Sequence, residues 1–376
     1  MQLMTDANQE RALYKTFNKN NLKMNTVLNT KNIDTTKQPM FLGEDLSLQR
    51  YDRFKYPKFF ELWRKQEEFH WLPEEVSLTK DRNDYENLTD TERFIFNSNL
   101  RWQTMTDSML SRSIHNIKNY VSNPELEICM TSWARFETIH SYSYTYVLQN
   151  IAKDATAFFD SILEDKEIVK RAQEISSSYN ALLGDDKGCM KQQIFNSILS
   201  TQITEGLAFY TSFACSFFFG YKGKMEGTSK IIGLIARDEN LHTAITQNIM
   251  KNWRDNPDEG FQDIIKDNEQ KVYDMYGLAV ENEKKWAEYL FSNGSLLGLN
   301  ADMLGGYIEW LANNRLKSLG YDKIFDAPTN PIGGWLNSFT DSSKVQVAPQ
   351  ETEISSYKIG ARDTEIDSSD FDEFEL

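Results

Sequence analysis

Cysteine and histidine are both scarce in this chain of 376 residues, with three of one and four of the other. Cys129, Cys189 and Cys215 stand far apart and form no pair motif. That excludes a disulfide framework and a thiolate metal site, and it fits a reducing compartment, so a cytoplasmic location is expected. Positive charge is also in short supply. Lys and Arg number 41 against 56 Asp and Glu, a net charge of -15. A chain this acidic is a poor partner for a nucleic-acid backbone, which calls for an excess of basic side chains. Long apolar runs are missing too: nothing reaches the roughly 18 consecutive residues that a membrane-crossing helix needs. Leu207 to Tyr221 comes nearest, and polar residues interrupt it. Residues 1–30 lack the apolar stretch of a secretion signal. No segment shows the alternation of a half-buried strand, so the body is expected to be all-α.

Helical periodicity is what the chain does have. Residues 1–37, rich in Asn, Lys and Thr, read as an N-terminal extension, residues 38–341 as one helical domain, and residues 342–376 as a tail. A helix is expected from about Pro57, because proline suits a first turn. The Trp71-Leu72-Pro73-Glu74-Glu75 segment then breaks the pattern. Thr89 with Glu92 forms a capping box ahead of a long helix striped by Ile95, Leu100, Trp102, Met105, Met109 and Leu110, with Asp107 embedded in it. Ser113 to Asn123 reads as an irregular connection, and a second long helix follows from about Pro124 to Gln149. Shorter helices run through Tyr179, and Gly184 to Gly188 reads as a loop. A very apolar helix is expected from Met190 to Gly220, interrupted by Glu205. A fourth long helix spans about Gly227 to Trp253, and two more cover about Phe261 to Phe291 and Asn300 to Leu319. Between Glu351 and Leu376 nine acidic residues accompany two basic ones, the composition of a flexible segment that orders on a partner.

Half of the four histidines lie in two copies of Glu-x-x-His, Glu137 to His140 and Glu239 to His242. On a helix this spacing puts carboxylate and imidazole on one face. One copy alone is as readily a surface ion pair. Two copies on long helices, with Glu205 and Asp107 inside two others, form the ligand inventory of a dinuclear metal site in a helix bundle, with Asp107 in place of one glutamate. A buried carboxylate is costly, and metal coordination removes that cost. Four carboxylates balance two divalent ions, and carboxylate with imidazole and no sulfur suits iron or manganese over structural zinc. The absence of His-Glu-x-x-His excludes the usual zinc protease. His70 and His115 read as ordinary surface residues. Tyr144 lies four residues after His140 on the same stripe, where it is either core packing or a tyrosine beside the metals. A radical there would need apolar shielding, and Phe209, Phe213 and Ile235 are candidate walls.

These residues, together with Gln38-Pro39-Met40-Phe41, Trp71 to Val76, Gln103 to Ser108, Ile235 to His242 and Val345 to Gln350, resemble one family. It is the small, radical-generating subunit of class I ribonucleotide reductase, closest to the iron and tyrosyl-radical subclass of bacteria and their phages. The resemblance implies a ferritin-like helical bundle. It implies Asp107, Glu137 and His140 as ligands of the metal nearer the radical, and Glu205, Glu239 and His242 as ligands of the other, with Glu137 and Glu239 bridging. It further implies two iron ions in a diiron-oxo centre, manganese being the second choice, with Tyr144 as the radical tyrosine and Phe209, Phe213 and Ile235 as its pocket.

Trp71 resembles the near-surface end of an electron path linked through Asp238 to His140. On sequence alone Trp71 also reads as a loop anchor and Asp238 as an ordinary helix charge. Tyr357 and Glu351 match tail residues that pass the radical to a large subunit, and Phe371 to Leu376 resemble the family's own peptide for docking to that large subunit. A homodimer is implied as well. The expected function is therefore the small subunit of a ribonucleoside-diphosphate reductase, inactive without the large one. Another helical-bundle diiron oxidase or hydroxylase is the alternative, and it would need neither Tyr357 nor the acidic tail. The chain departs from the pattern at Tyr142, an oxidisable neighbour of Tyr144 in sequence, in the compact loop at Gly184 to Gly188, and in its N-terminal extension. No departure removes a ligand.

Overall fold

The computed structural model describes residues 29–340 except 181 and 183–188. Helix α1 (Pro57–Glu68) opens with proline at its first position and buries Phe59, Leu62 and Gln66. A single turn at Pro73–Glu75 follows, then α2 (Thr79–Glu86), which the sequence pattern does not announce. Its residues are polar nearly throughout, and only Asp81 is buried. Helix α3 (Asp90–Lys118) has the expected capping box: the Glu92 amide donates to Thr89 Oγ1 and the Thr89 amide to the Glu92 carboxylate. It runs past Ser113, where an irregular connection was expected, because Ile114 and Ile117 extend its buried stripe by another turn. Asn123 caps α4 (Pro124–Ile151) by accepting from the Leu126 amide at 2.9 Å.

After α5 (Ala155–Ile162) and α6 (Lys166–Asn180), the expected helix from Met190 to Gly220 is two helices. Helix α7 (Met190–Ile203) and α8 (Tyr210–Tyr221) flank a π-helical turn, Thr204–Ala208, with Glu205 inside it. Helix α9 (Glu226–Asp255) starts after Met225, which is left-handed at φ 50°. Its first amides are capped by another helix: Asp81 of α2 accepts from Gly227 N at 2.9 Å and Thr228 N at 2.6 Å. The stretch expected as one helix from Phe261 to Phe291 divides at Asn268 into α10 (Gln262–Asp267) and α11 (Glu269–Leu290). Helix α12 (Ala301–Ser318) is capped by Asn300, and α13 (Gly333–Thr340) ends the described chain.

The body is all-α, as expected; β pairing among the described residues is confined to two isolated bridges, one joining Phe41 to Val121. Helices α3, α4, α8 and α9 pack on one another, with α1 against α4 and α11 against α12. One continuous apolar core fills the space between them. Within the segment expected as an extension, Ile33 and Thr35 are buried. Residues 1–28, the Gly184 to Gly188 loop, the Val345 to Gln350 motif and the tail with Glu351, Tyr357 and Phe371 to Leu376 lie outside the described residues. No described helix is long and apolar enough to cross a membrane.

Candidate metal centre

The four long helical segments each contribute to one buried cluster. Asp107 comes from α3, Glu137 and His140 from α4, Glu205 from the π turn, and Glu239 and His242 from α9. All six have no solvent exposure. Their potential ligand atoms fall into two overlapping groups, Asp107-Glu137-His140-Glu239 and Glu137-Glu205-Glu239-His242, each within 4.8 Å. Glu137 and Glu239 belong to both. His140 Nδ1 lies 3.2 Å from Glu239 and 3.8 Å from Glu137. His242 Nδ1 lies 2.8 Å from Glu239, 3.2 Å from Glu137 and 3.6 Å from Glu205.

Unsatisfied atoms test whether metals fit here. Both oxygens of Asp107, both of Glu205, one each of Glu137 and Glu239, and His140 Nδ1 are buried without a hydrogen-bond partner. Leaving so many polar atoms unpaired in one spot is costly unless something bonds to them. Oxygen and nitrogen donors aimed at two adjacent positions fit a pair of divalent ions.

Electrostatics point the same way. Burial pushes the Asp107 and Glu205 carboxyls well above the usual carboxylate range, and the charges of Glu137 and Glu239 push them further. Glu239 behaves oppositely. Burial alone would raise it, but the adjoining Glu205 carboxyl and the facing imidazoles of His140 and His242 hold it below that range. Burial disfavours charged imidazoles at His140 and His242, yet the facing carboxylates win and raise both. Without metal, the cluster therefore carries protons where the ions would sit.

Tyr144 is fully buried on α4. Its hydroxyl makes no hydrogen bond of good geometry. Burial first, and then the neighbouring Asp107 carboxylate, keep its proton on well above the ordinary tyrosine range. Phe209 and Phe213 are fully buried and stack with ring centres 5.4 Å apart, and Ile235 is fully buried on α9. The Trp71 indole donates to Asp238 Oδ2 at 2.7 Å, and the same oxygen lies 3.2 Å from His140 Nε2. With Nε2 as the donor, Nδ1 keeps its lone pair for a metal. Trp71 also stacks on His140 at 6.3 Å. Expected at the near-surface end of a path, Trp71 is itself only 1% exposed.

Tyr142 does not join the cluster; it is 43% exposed and donates to Glu74. His70 and His115 are exposed. Sequence reasoning missed Trp133, which donates to Glu137 Oε1 at 2.8 Å and stacks on His242 at 4.7 Å. Its position four residues before Glu137 on α4 was the available signal. Arg237 was missed too: it donates to the Phe69 carbonyl at 2.7 Å and steadies the segment that leads to Trp71.

A bundle whose helices bring two carboxylate-imidazole clusters together around shared glutamates has a ferritin-like architecture with a site that could hold two metal ions. Comparison with known proteins makes the class particular. The family model described as "Ribonucleotide reductase, small chain" matches residues 49–331, and the chain belongs to that family. It is 43% identical over 368 residues to the ribonucleoside-diphosphate reductase subunit beta of Haemophilus influenzae, covering 91% of this chain and 97% of the relative. The ribonucleoside-diphosphate reductase 1 subunit beta of Escherichia coli O157:H7 is 41% identical over 376 residues, covering 93% and 99%. Among solved structures, the ribonucleotide reductase R2 subunit from Clostridium botulinum superposes with a TM-score of 0.76 at 27% identity, covering 84% of this chain and 98% of that one.

Proposed function

We propose that this chain is the small subunit of a ribonucleoside-diphosphate reductase, which stores an oxidising equivalent on Tyr144 and passes it to a large subunit where the ribonucleotide is reduced. The observation that carries this reading is the pair of interlocked ligand clusters with Tyr144 buried beside Asp107. Bound iron supplies the oxidising power of dioxygen at this site; manganese suits the same ligands. The chain's own residues do the rest. Glu137 and Glu239 hold the two metal positions together, and His140 and His242 present Nδ1 to them. Asp107 sits beside the Tyr144 hydroxyl and is the group poised to influence its proton when an electron leaves the ring.

The surrounding packing keeps water and reductants from Tyr144, which prolongs a radical that would otherwise be quenched. Phe209, Phe213 and Ile235 serve as its shield in this reading. Trp71, bonded to Asp238 and through it to His140, gives electrons a continuous hydrogen-bonded route to the cluster. In the tail, Glu351 and Tyr357 would continue that route, and Phe371 to Leu376 would dock through alternating apolar and acidic groups. A homodimer working with a separate large subunit completes the assembly, in the cytoplasm.

Electron paramagnetic resonance after anaerobic ferrous loading and exposure to oxygen tests this. A tyrosyl signal is expected in the wild type and absent in Tyr144→Phe at equal iron content, with ribonucleotide reduction only when a large subunit is added. No organic radical at full iron loading would overturn it.

A further inference from the structure

The π turn that carries Glu205 leaves backbone carbonyls pointing out of the helical ladder, and two buried arginines receive them. Ala208 O accepts from Arg171 of α6 at 3.1 Å and from the Trp102 indole at 3.2 Å. Gly206 O accepts from Arg315 Nε of α12 at 3.0 Å. The arginines differ in their charge balance. Arg171 has its own counterion in Glu283 and lies over the Trp102 ring at 4.0 Å, a self-contained pair. Arg315 is buried and has no carboxylate partner among the described residues.

Arg315 reaches beyond the π turn. Its Nη2 donates to Asn240 Oδ1 at 3.2 Å and to the Tyr210 hydroxyl at 3.1 Å, and Tyr210 in turn donates to Asn240 Oδ1 at 2.8 Å. Gly206 and Asn240 each directly follow a cluster glutamate, Glu205 and Glu239. One guanidinium therefore fixes the backbone beside Glu205 and the side chain beside Glu239. The glycine is part of the arrangement, because a Cβ at Gly206 would sit 3.3 Å from Arg315 Nε and 3.4 Å from Thr243.

We propose that Arg315 is a positioning residue for the metal position formed by Glu205, Glu239 and His242, locking the π turn to α9 so that the two carboxylates face each other. This inference rests on reading the cluster as a two-metal centre.

The test uses the full chain with Arg315→Met, Arg315→Lys and Gly206→Ala, loaded with enriched ferrous iron without oxygen. Metal uptake is followed by titration, the two iron environments by Mössbauer spectroscopy, and helix content by circular dichroism. Arg315→Met is expected to weaken one of the two metal equivalents at least roughly tenfold and to alter one Mössbauer doublet while sparing the other. Arg315→Lys should recover part of the loss, and Gly206→Ala should shift the same doublet with the charge retained. Wild-type affinity for both equivalents with both doublets unchanged in Arg315→Met would overturn the proposal. If that variant does not fold, Gly206→Ala decides: an altered doublet supports the role and two wild-type doublets reject it. Wild-type protein that binds fewer than two irons would instead sink the two-metal reading, and this inference with it.

Discussion

Replacing Glu205 by glutamine separates what the fold needs from what the metals need. The side chain keeps its shape and loses its charge. In the metal-free protein neither Glu205 oxygen has a hydrogen-bond partner, and burial together with Glu137 and Glu239 favours its neutral form. Glutamine resembles that protonated state, so the metal-free variant should unfold within about 1 kcal/mol of wild type. Loading reverses the balance, because one ion then faces one fewer negative ligand. Removing one partner from a buried charge pair costs about 3–5 kcal/mol, which corresponds to a Kd weaker by roughly two to four orders of magnitude. The loss should fall on one metal equivalent, since Glu205 belongs to only one of the two clusters. Anaerobic ferrous titration reads the affinity and chemical denaturation of the metal-free protein reads the fold. Two tight equivalents in the variant, or a metal-free fold weakened by several kcal/mol, would refute this account of Glu205.

The same proton bookkeeping predicts a pH effect. Asp107, Glu205, His140 and His242 all hold protons more tightly in the metal-free fold than in an unfolded chain. Their contribution is full below the ordinary pKa of each type and is lost as pH rises toward the folded values; Glu239 runs the other way. Between about pH 6 and 9 the metal-free Tm should fall and its gain on metal binding should grow; a gain independent of pH would refute it. Asp81→Ala should cost about 1–3 kcal/mol in chemical denaturation, because it removes the charged cap of α9, and an unchanged midpoint would count against that cap. Tyr357→Phe should leave iron content and the Tyr144 radical intact while blocking turnover with the large subunit, and full turnover would remove Tyr357 from the route.

Periodicity revealed the long helices because each buries a regular apolar stripe. It failed at α2, where Thr79 to Glu86 show almost no apolar pattern and the burial falls on Asp81. It also stopped α3 early, since Ser113, His115 and Asn116 look like a loop while Ile114 and Ile117 hold the helix to the core. The π turn had no local signature. Its shape depends on Arg171, Arg315 and Trp102, which lie far away in sequence. At the site, residue types and spacing were enough to collect six potential ligands. Which of them are shared between the two clusters is a matter of how α4 and α9 face each other, and spacing along one helix carries no such information.

The two halves of the centre are built alike, each with a Glu-x-x-His helix, a carboxylate from a third segment and the other helix's glutamate. What breaks the likeness is the residue one turn beyond each histidine. After His140 it is Tyr144; after His242 it is Thr246, buried and tied by its hydroxyl to Gln202. Threonine has no ring to oxidise. A near-symmetric scaffold thus differs at one matched pair of positions: a buried aromatic hydroxyl stands one turn beyond the histidine on α4, and a small hydroxyl held by Gln202 stands one turn beyond the histidine on α9.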